Sequence, residues 1–218
     1  VLGWLRPIMG AIWRAPARAL LALGVHPNVM TIVGTAGVVF GALFFFPKGD
    51  VYLFWGVMVI TFFVLTDSLD GTMARLGNKS SRLGAFLDST LDRVADAAIF
   101  GALVWTFMES DNLTSTAALV CLVVGGLVPY VRARAESIGV EAKGGIAERT
   151  DRLVIALTAT GLVGLGLPVP VLTWTLWVLA LLGTITVVQR ILIVVGAARR
   201  DPEWNTDLDR HVEREPHS

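Results

Sequence analysis

The stretch DSLDGTMARLGNKSSRLGAFLDSTLD, Asp67 to Asp92, follows a run from Val51 to Thr66 that carries no charge. It sets four aspartates, Asp67, Asp70, Asp88 and Asp92, against an apolar segment. On helices their intervals matter. Asp67 and Asp70 are three apart and share a face, and Asp88 and Asp92, four apart, share another. Gly71 and Ala74 flank the first pair, and Gly84 precedes Asp88 by one turn, so both faces leave room for a bulky group. Two antiparallel neighbours with these faces inward would gather four carboxylates in one small volume.

The rest of the chain explains why helices are expected. It has 218 residues, 54% of them hydrophobic, and a mean hydropathy of +0.66. Soluble domains sit nearer about 45–50% apolar. Charge-free runs also cover Pro27 to Pro47, Asn112 to Val131 and Leu153 to Gln189. About 20 apolar residues cross the roughly 30 Å hydrocarbon core as a helix, and lipid obliges the backbone to satisfy its own hydrogen bonds. The fold class expected is an all-α integral membrane protein with six transmembrane helices, near 28–46, 51–75, 82–108, 113–138, 150–167 and 171–196. Pro168 and Pro170 divide the longest uncharged run. Residues 1–24 mix Trp4, Leu5, Ile12 and Trp13 with Arg6, Arg14 and Arg18, which suits a juxtamembrane interfacial amphipathic helix. Packing of that helix on the bundle is the alternative. The domain layout is then 1–24 interfacial helix, 25–198 six-helix domain and 199–218 polar tail. The opening residues lack the compact apolar core of a cleavable signal peptide.

Basic residues set the orientation. Arg6, Arg14 and Arg18, then Arg75, Lys79 and Arg82, then Arg132, Arg134, Lys143, Arg149 and Arg152, and finally Arg190, Arg199 and Arg200 all fall on one side of the six spans. The positive-inside rule puts them, both termini and the four aspartates in the cytoplasm, on a multi-pass protein of the cell membrane. Cys121, inside an apolar run, reads as a small buried hydrophobe. Gly37 and Gly41 form a small-xxx-small pair suited to close helix contact.

Four carboxylates beside lipid need compensation, because like charges and desolvation both disfavour ionisation. Two divalent cations match them in number. Mg2+ takes oxygen ligands and combines carboxylates with substrate phosphates, so the pattern suggests a two-metal site for a phosphorylated substrate. Salt bridges to Arg75, Arg82 and Arg93 are the structural alternative.

Asp67, Asp70, Gly71, Ala74, Arg75, Gly84, Asp88 and Asp92 stand as D-x-x-D-G-x-x-A-R-x8-G-x-x-x-D-x-x-x-D. This resembles the signature of the CDP-alcohol phosphotransferase family at every fixed position. The resemblance implies a lipid-synthesising transferase that moves a phosphatidyl group from a CDP-linked donor to an alcohol and releases CMP. It implies Asp67, Asp70 and Asp88 as metal ligands and Asp92 as ligand and general base, with two Mg2+ ions, or Mn2+. It implies that Gly71, Arg75, Ser81 and the segment Asn28, Val29, Met30 and Thr31 hold CDP-diacylglycerol. It also implies a homodimer. Asp96, outside the motif, reads as a supporting partner of the site and not a ligand.

Arg132 and Arg134 in YVRARAES, Arg149 and Arg152 in ERTDR, and Arg190 in VVQR concentrate near the same face. Guanidinium forks suit phosphate oxygens, so Arg132, Arg134, Arg152 and Arg190 are the candidates for an acceptor phosphate. Plain positive-inside topology is the alternative, with Arg132 paired to Glu136. These segments, with LGVHPNVMTIVGT, resemble the actinobacterial branch of the family that makes phosphatidylinositol phosphate, which implies inositol 1-phosphate as acceptor. The partners are then CDP-diacylglycerol, inositol phosphate and the bilayer, and no nucleic acid. Glycerol 3-phosphate stays open as the acceptor, because it also carries a phosphate. A cation transporter would show ion flux without CMP release, and acids at one membrane edge count against it. A scaffold without chemistry would tolerate Asp92→Asn.

Overall fold

A computed structural model describes residues 15–77, 81–142 and 149–200, with the backbone alone at 67–71, 74 and 75. Among the described residues there are helices and no strand. A helical segment at 15–22 precedes α1 (Pro27–Phe45), α2 (Asp50–Leu76), α3 (Arg82–Phe107), α4 (Asn112–Ser137), α5 (Arg149–Gly164) and α6 (Val169–Arg200). These follow the six expected segments closely, and the last runs a turn further.

Local chemistry sets the ends. Pro27 occupies the first turn of α1, where its missing N–H costs nothing, and the His26 ring accepts from the Asn28 N–H at 3.3 Å. Ser81 caps α3 by accepting from the Gly84 N–H at 2.9 Å. Asp111 caps α4, taking the Leu113 and Thr114 N–H groups at 3.0 and 3.2 Å. The turn between α1 and α2 uses Gly49 at φ 65, a left-handed position that favours glycine.

Packing joins the six helices into a ring. α1 lies against both α2 and α3, α3 against α4, α4 against α6, α6 against α5, and α5 against α2. The two acid-bearing helices therefore flank α1, each packed along it. Glycines let the backbones close in. A Cβ at Gly37 would strike the Phe63 ring, and one at Gly41 would come within 3.0 Å of Ile60 Cγ1, so the small pair of α1 meets α2 as its spacing suggested. The core between the helices includes Phe46, Ile60, Ile99, Phe100, Leu172 and Leu176. Cys121 is buried there, its thiol donating to the Leu176 carbonyl at 3.1 Å.

The outer surface is apolar as well. Trp105, Trp174 and Phe62 are 70%, 68% and 64% exposed, which water would penalise and lipid accepts. Among the described residues three stretches, Pro27–Lys48, Asn112–Ser137 and Val169–Arg200, are long and apolar enough to cross a membrane, consistent with a membrane protein. The segment at 15–22 packs on the bundle. Ala17 is buried against Met73 near the end of α2, with Leu20, Leu21, Val25 and Met30 around them.

The closest backbone approach tests this packing. A Cβ at Gly164 of α5 would fall on the Phe54 backbone nitrogen of α2 and 3.1 Å from Leu53 Cβ, whereas Gly101 has open space. Gly164→Ala should therefore cost about 1–3 kcal/mol. Gly101→Ala should leave the thermal midpoint in detergent unchanged or slightly raised.

Candidate active site

Two helix starts meet at one corner of the bundle. A Cβ at Gly84 would sit 3.2 Å from Ser81 Oγ and 3.3 Å from Asn28 Oδ1. The bare glycine thus brings the start of α3 against the start of α1, with two side-chain oxygens beside it. Asn28 and Ser81, both expected at the nucleotide, come together here. Of their companions, Val29 is exposed and Met30 packs toward Ala17 and Met73. Thr31 is buried, its hydroxyl donating to the Pro27 carbonyl at 3.4 Å. The side chains of Asp67, Asp70 and Arg75, and the surroundings of Gly71, lie outside the described residues, although their backbone is helical in α2.

Further along α3, Asp88 is exposed and Asp92, one turn later, is partly buried. Arg149, at the start of α5, places Nη1 2.7 Å from Asp92 Oδ1 and donates Nη2 to the Asp92 carbonyl at 3.3 Å. Arg93 Nη2 stands 3.7 Å from Asp92 Oδ2. One more turn down, Asp96 is buried. It takes Arg149 Nε on Oδ1 at 3.0 Å and Arg152 Nη2 on Oδ2 at 3.0 Å, with Arg93 Nη1 at 3.8 Å. Three guanidiniums and two carboxylates share this space, so neither acid is left uncompensated. Arg149 and Arg152 do share a face of α5, as their spacing suggested.

Arg152 is 4% exposed and turns to Asp96, lying over Gly125 of α4. Arg190 of α6 is also buried and donates to the Val128 carbonyl of α4. Arg132 is exposed and pairs with Glu136 at 2.8 Å, and Arg134, also exposed, reaches Ser137 Oγ at 3.4 Å. Gly125, Val128 and Arg132 fall on one helical face. Arginines from α5, α6 and α4 itself therefore line up along that face toward the end of α4.

Sequence reasoning missed two things here. It did not assign Arg149 to Asp92, and it gave no role to Pro129. Asp96, one turn from Asp92, was the available signal for the first, and a proline inside a long helix for the second.

The donor chemistry suits a hard cation. Asp88 and Asp92 offer carboxylate oxygens on one face of α3, and no bulky side chain stands at Gly84 above them. Among the described residues no three His, Cys, Asp or Glu side chains gather as they would about one ion, and the side chains of Asp67 and Asp70 lie outside that set.

Residues 24–181 match the family model of the CDP-alcohol phosphatidyltransferases. The chain belongs to that family and is an enzyme of lipid synthesis. It is 47% identical over 186 residues to the phosphatidylinositol phosphate synthase of Streptomyces avermitilis, covering 82% of this chain and 75% of that one. The solved phosphatidylinositol phosphate synthase of Mycobacterium tuberculosis with CDP-DAG bound superposes with a TM-score of 0.79 at 42% identity, covering 84% and 94%. The same enzyme in complex with manganese and citrate also gives 0.79 at 42% identity, covering 84% and 88%.

The corner at Gly84 depends on the Ser81 cap. Ser81→Ala should remove about 1 kcal/mol from the start of α3. Amide exchange at residues 82–87 should speed up while the interior of α3 keeps its protection.

Proposed function

We propose that this enzyme transfers the phosphatidyl group of CDP-diacylglycerol to inositol 1-phosphate, giving phosphatidylinositol phosphate and CMP. The observation that carries the acceptor is the identity to relatives of that name over four fifths of the chain, with the eight-position aspartate signature intact. The wider layout in this proposal is a multi-pass protein of the cell membrane with six spans in residues 25–198, an interfacial helix in 1–24 and a polar tail in 199–218. Both termini and the site face the cytoplasm, where the basic loops lie, and the enzyme works as a homodimer.

Asp67, Asp70, Asp88 and Asp92 would hold two divalent ions, Mg2+ or Mn2+, between the ends of α2 and α3. When bound, the ions supply Lewis acidity to the donor diphosphate and offset the charge that develops on the departing CMP. Asn28, Ser81, Gly71 and Arg75 hold the nucleotide, with Val29, Met30 and Thr31 shaping its edge. The meeting of Asn28 and Ser81 beside Gly84 supports this assignment.

Asp92 removes the proton from the attacking hydroxyl, for which it must lie within about 3 Å of that oxygen. Arg149 pairs with its Oδ1 at 2.7 Å, and Arg93 stands 3.7 Å from its Oδ2. The hydroxyl oxygen then bonds to the phosphorus that carries the diacylglycerol, and the bond to CMP breaks. Arg132, Arg134, Arg152 and Arg190 fork onto the acceptor phosphate. Arg152 does so from beneath α4, where it also bonds Asp96.

CMP release from purified protein in lipid vesicles tests the proposal. Inositol 1-phosphate with Mg2+ should support turnover, while glycerol 3-phosphate, free inositol and serine should not. Turnover with glycerol 3-phosphate alone would reassign the acceptor. Chelation should abolish release, and added Mg2+ or Mn2+ should restore it. Asp92→Asn should lower turnover about 10²–10⁴-fold, and an unaffected rate would remove Asp92 from the chemistry.

A further inference from the structure

The end of the bundle away from the candidate site carries a feature that the reaction does not use. Three contacts define that end. Gly164, closing α5, lies on Phe54 near the start of α2. Thr114 and Thr173, near the starts of α4 and α6, share a hydrogen bond. Ser115 donates to the Val104 carbonyl near the end of α3 at 3.2 Å. The turns at 46–49, 108–111 and 165–168 therefore sit together. Around them stand Tyr52, Trp55, Trp105 and Trp174, all exposed. Each lies within five residues of a helix end, which is about 8 Å along the axis at roughly 1.5 Å per residue. Tyrosine and tryptophan at one level of an apolar bundle mark the headgroup depth of a bilayer.

Lys48 lies at that level, between α1 and α2. Phe46–Lys48 form a short 3-10 turn that the Gly49 N–H closes on the Phe46 carbonyl at 2.9 Å, and the ring of Pro47 stiffens it. The Lys48 ammonium stands 3.5 Å from the centre of the Phe44 ring, with Tyr52 at 5.3 Å and Phe45 at 5.7 Å. Phe44 is itself held, stacked on Phe40 at 5.0 Å and edge-on to Phe45 at 5.1 Å. Ring faces attract a cation and fix its place. An ammonium also has three N–H donors, which ring faces leave without an oxygen acceptor. Among the described residues no carboxylate pairs with Lys48. Asp50, two residues on, is exposed, and its backbone has φ 43, a region that residues other than glycine rarely take. The turn thus holds a fixed cation and a carboxylate close in the chain without joining them.

The balance of charge decides what such a turn attracts. Lys48 is the one cation in the three turns and the helix residues that flank them, against Asp50, Glu109 and Asp111. That excess of acid repels a headgroup with net negative charge. A headgroup with a phosphate and a primary ammonium on a short tether has no net charge and offers a partner to each side chain. A trimethylated ammonium fits less well, because it has no N–H for a carboxylate. We infer that the turn between α1 and α2 binds the headgroup of an ethanolamine phospholipid in the leaflet at that end, its phosphate on Lys48 and its ammonium on Asp50. The acyl chains then lie on the apolar outer faces of α1 and α2, where Phe40 and Leu43 are exposed.

Native mass spectrometry of the full chain tests this, with phosphatidylethanolamine, phosphatidylcholine or phosphatidylglycerol added to the detergent. Lys48→Gln and Asp50→Asn should each weaken phosphatidylethanolamine binding about two- to fivefold, the range of an exposed ion pair, and change phosphatidylcholine binding less. Lys48→Arg keeps the charge and the ring contact, and should bind as the parent does. Asparagine accepts a positive φ as aspartate does, so Asp50→Asn removes a charge without disturbing the turn. CMP release should keep the parent's rate in all three variants, because the candidate site lies at the other end.

Unchanged phosphatidylethanolamine binding in Lys48→Gln and Asp50→Asn would overturn the inference. A loss in only one of them would sink it too, since the headgroup is read by both charges. Phosphatidylglycerol binding that falls with Lys48→Gln and rises with Asp50→Asn would mark a site for anionic lipid instead. Equal losses in Lys48→Arg and Lys48→Gln would mean that the shape of the turn, not its charge, holds the lipid, and would also overturn it.

Discussion

Asp96 is an acid inside a bundle of apolar helices, and an ionised carboxylate there is tolerated only if cations and hydrogen bonds replace its water. Arg149, Arg152 and Arg93 meet that demand from two helices. Each of those arginines must itself be accommodated. A glycine without a Cβ makes space for one, and a carbonyl released by a proline gives a second a partner. The packing of α3, α4 and α5 at this end of the bundle is arranged around one buried charge.

The ring of helices serves the same end of the molecule. α1 packs along both of the acid-bearing helices, α2 and α3. Its own first turn brings Asn28 to the base of α3 at Gly84. The proposed nucleotide corner and the proposed base therefore sit on consecutive turns of one helix, α3. The arginines along α4 extend the line on the far side.

Much of this was legible. Proline, glycine and capping residues punctuate the chain so plainly that six helices could be placed to within a turn. The intervals between Asp88 and Asp92, and between Gly37 and Gly41, told which residues share a face. The partnerships of the arginines were not legible. Arg152 turns to Asp96 under α4, a partner that its charge and neighbourhood did not announce. Arg190 reaches the Val128 carbonyl, a main-chain group that no side-chain pattern announces.

By itself the sequence determined that the chain folds into apolar helices, where those helices begin and end, and which acids lie on common faces. Each of these follows from a periodicity or a backbone rule that acts within a few residues. Only the tertiary structure decided that α1 stands between the acidic helices, that Arg149 meets Asp92, and that the break at Gly125 and Pro129 receives arginines from two other helices. Those contacts join residues dozens of positions apart. Long, flexible guanidinium side chains have several carboxylates and carbonyls within reach, so the choice among them is made by how the helices pack.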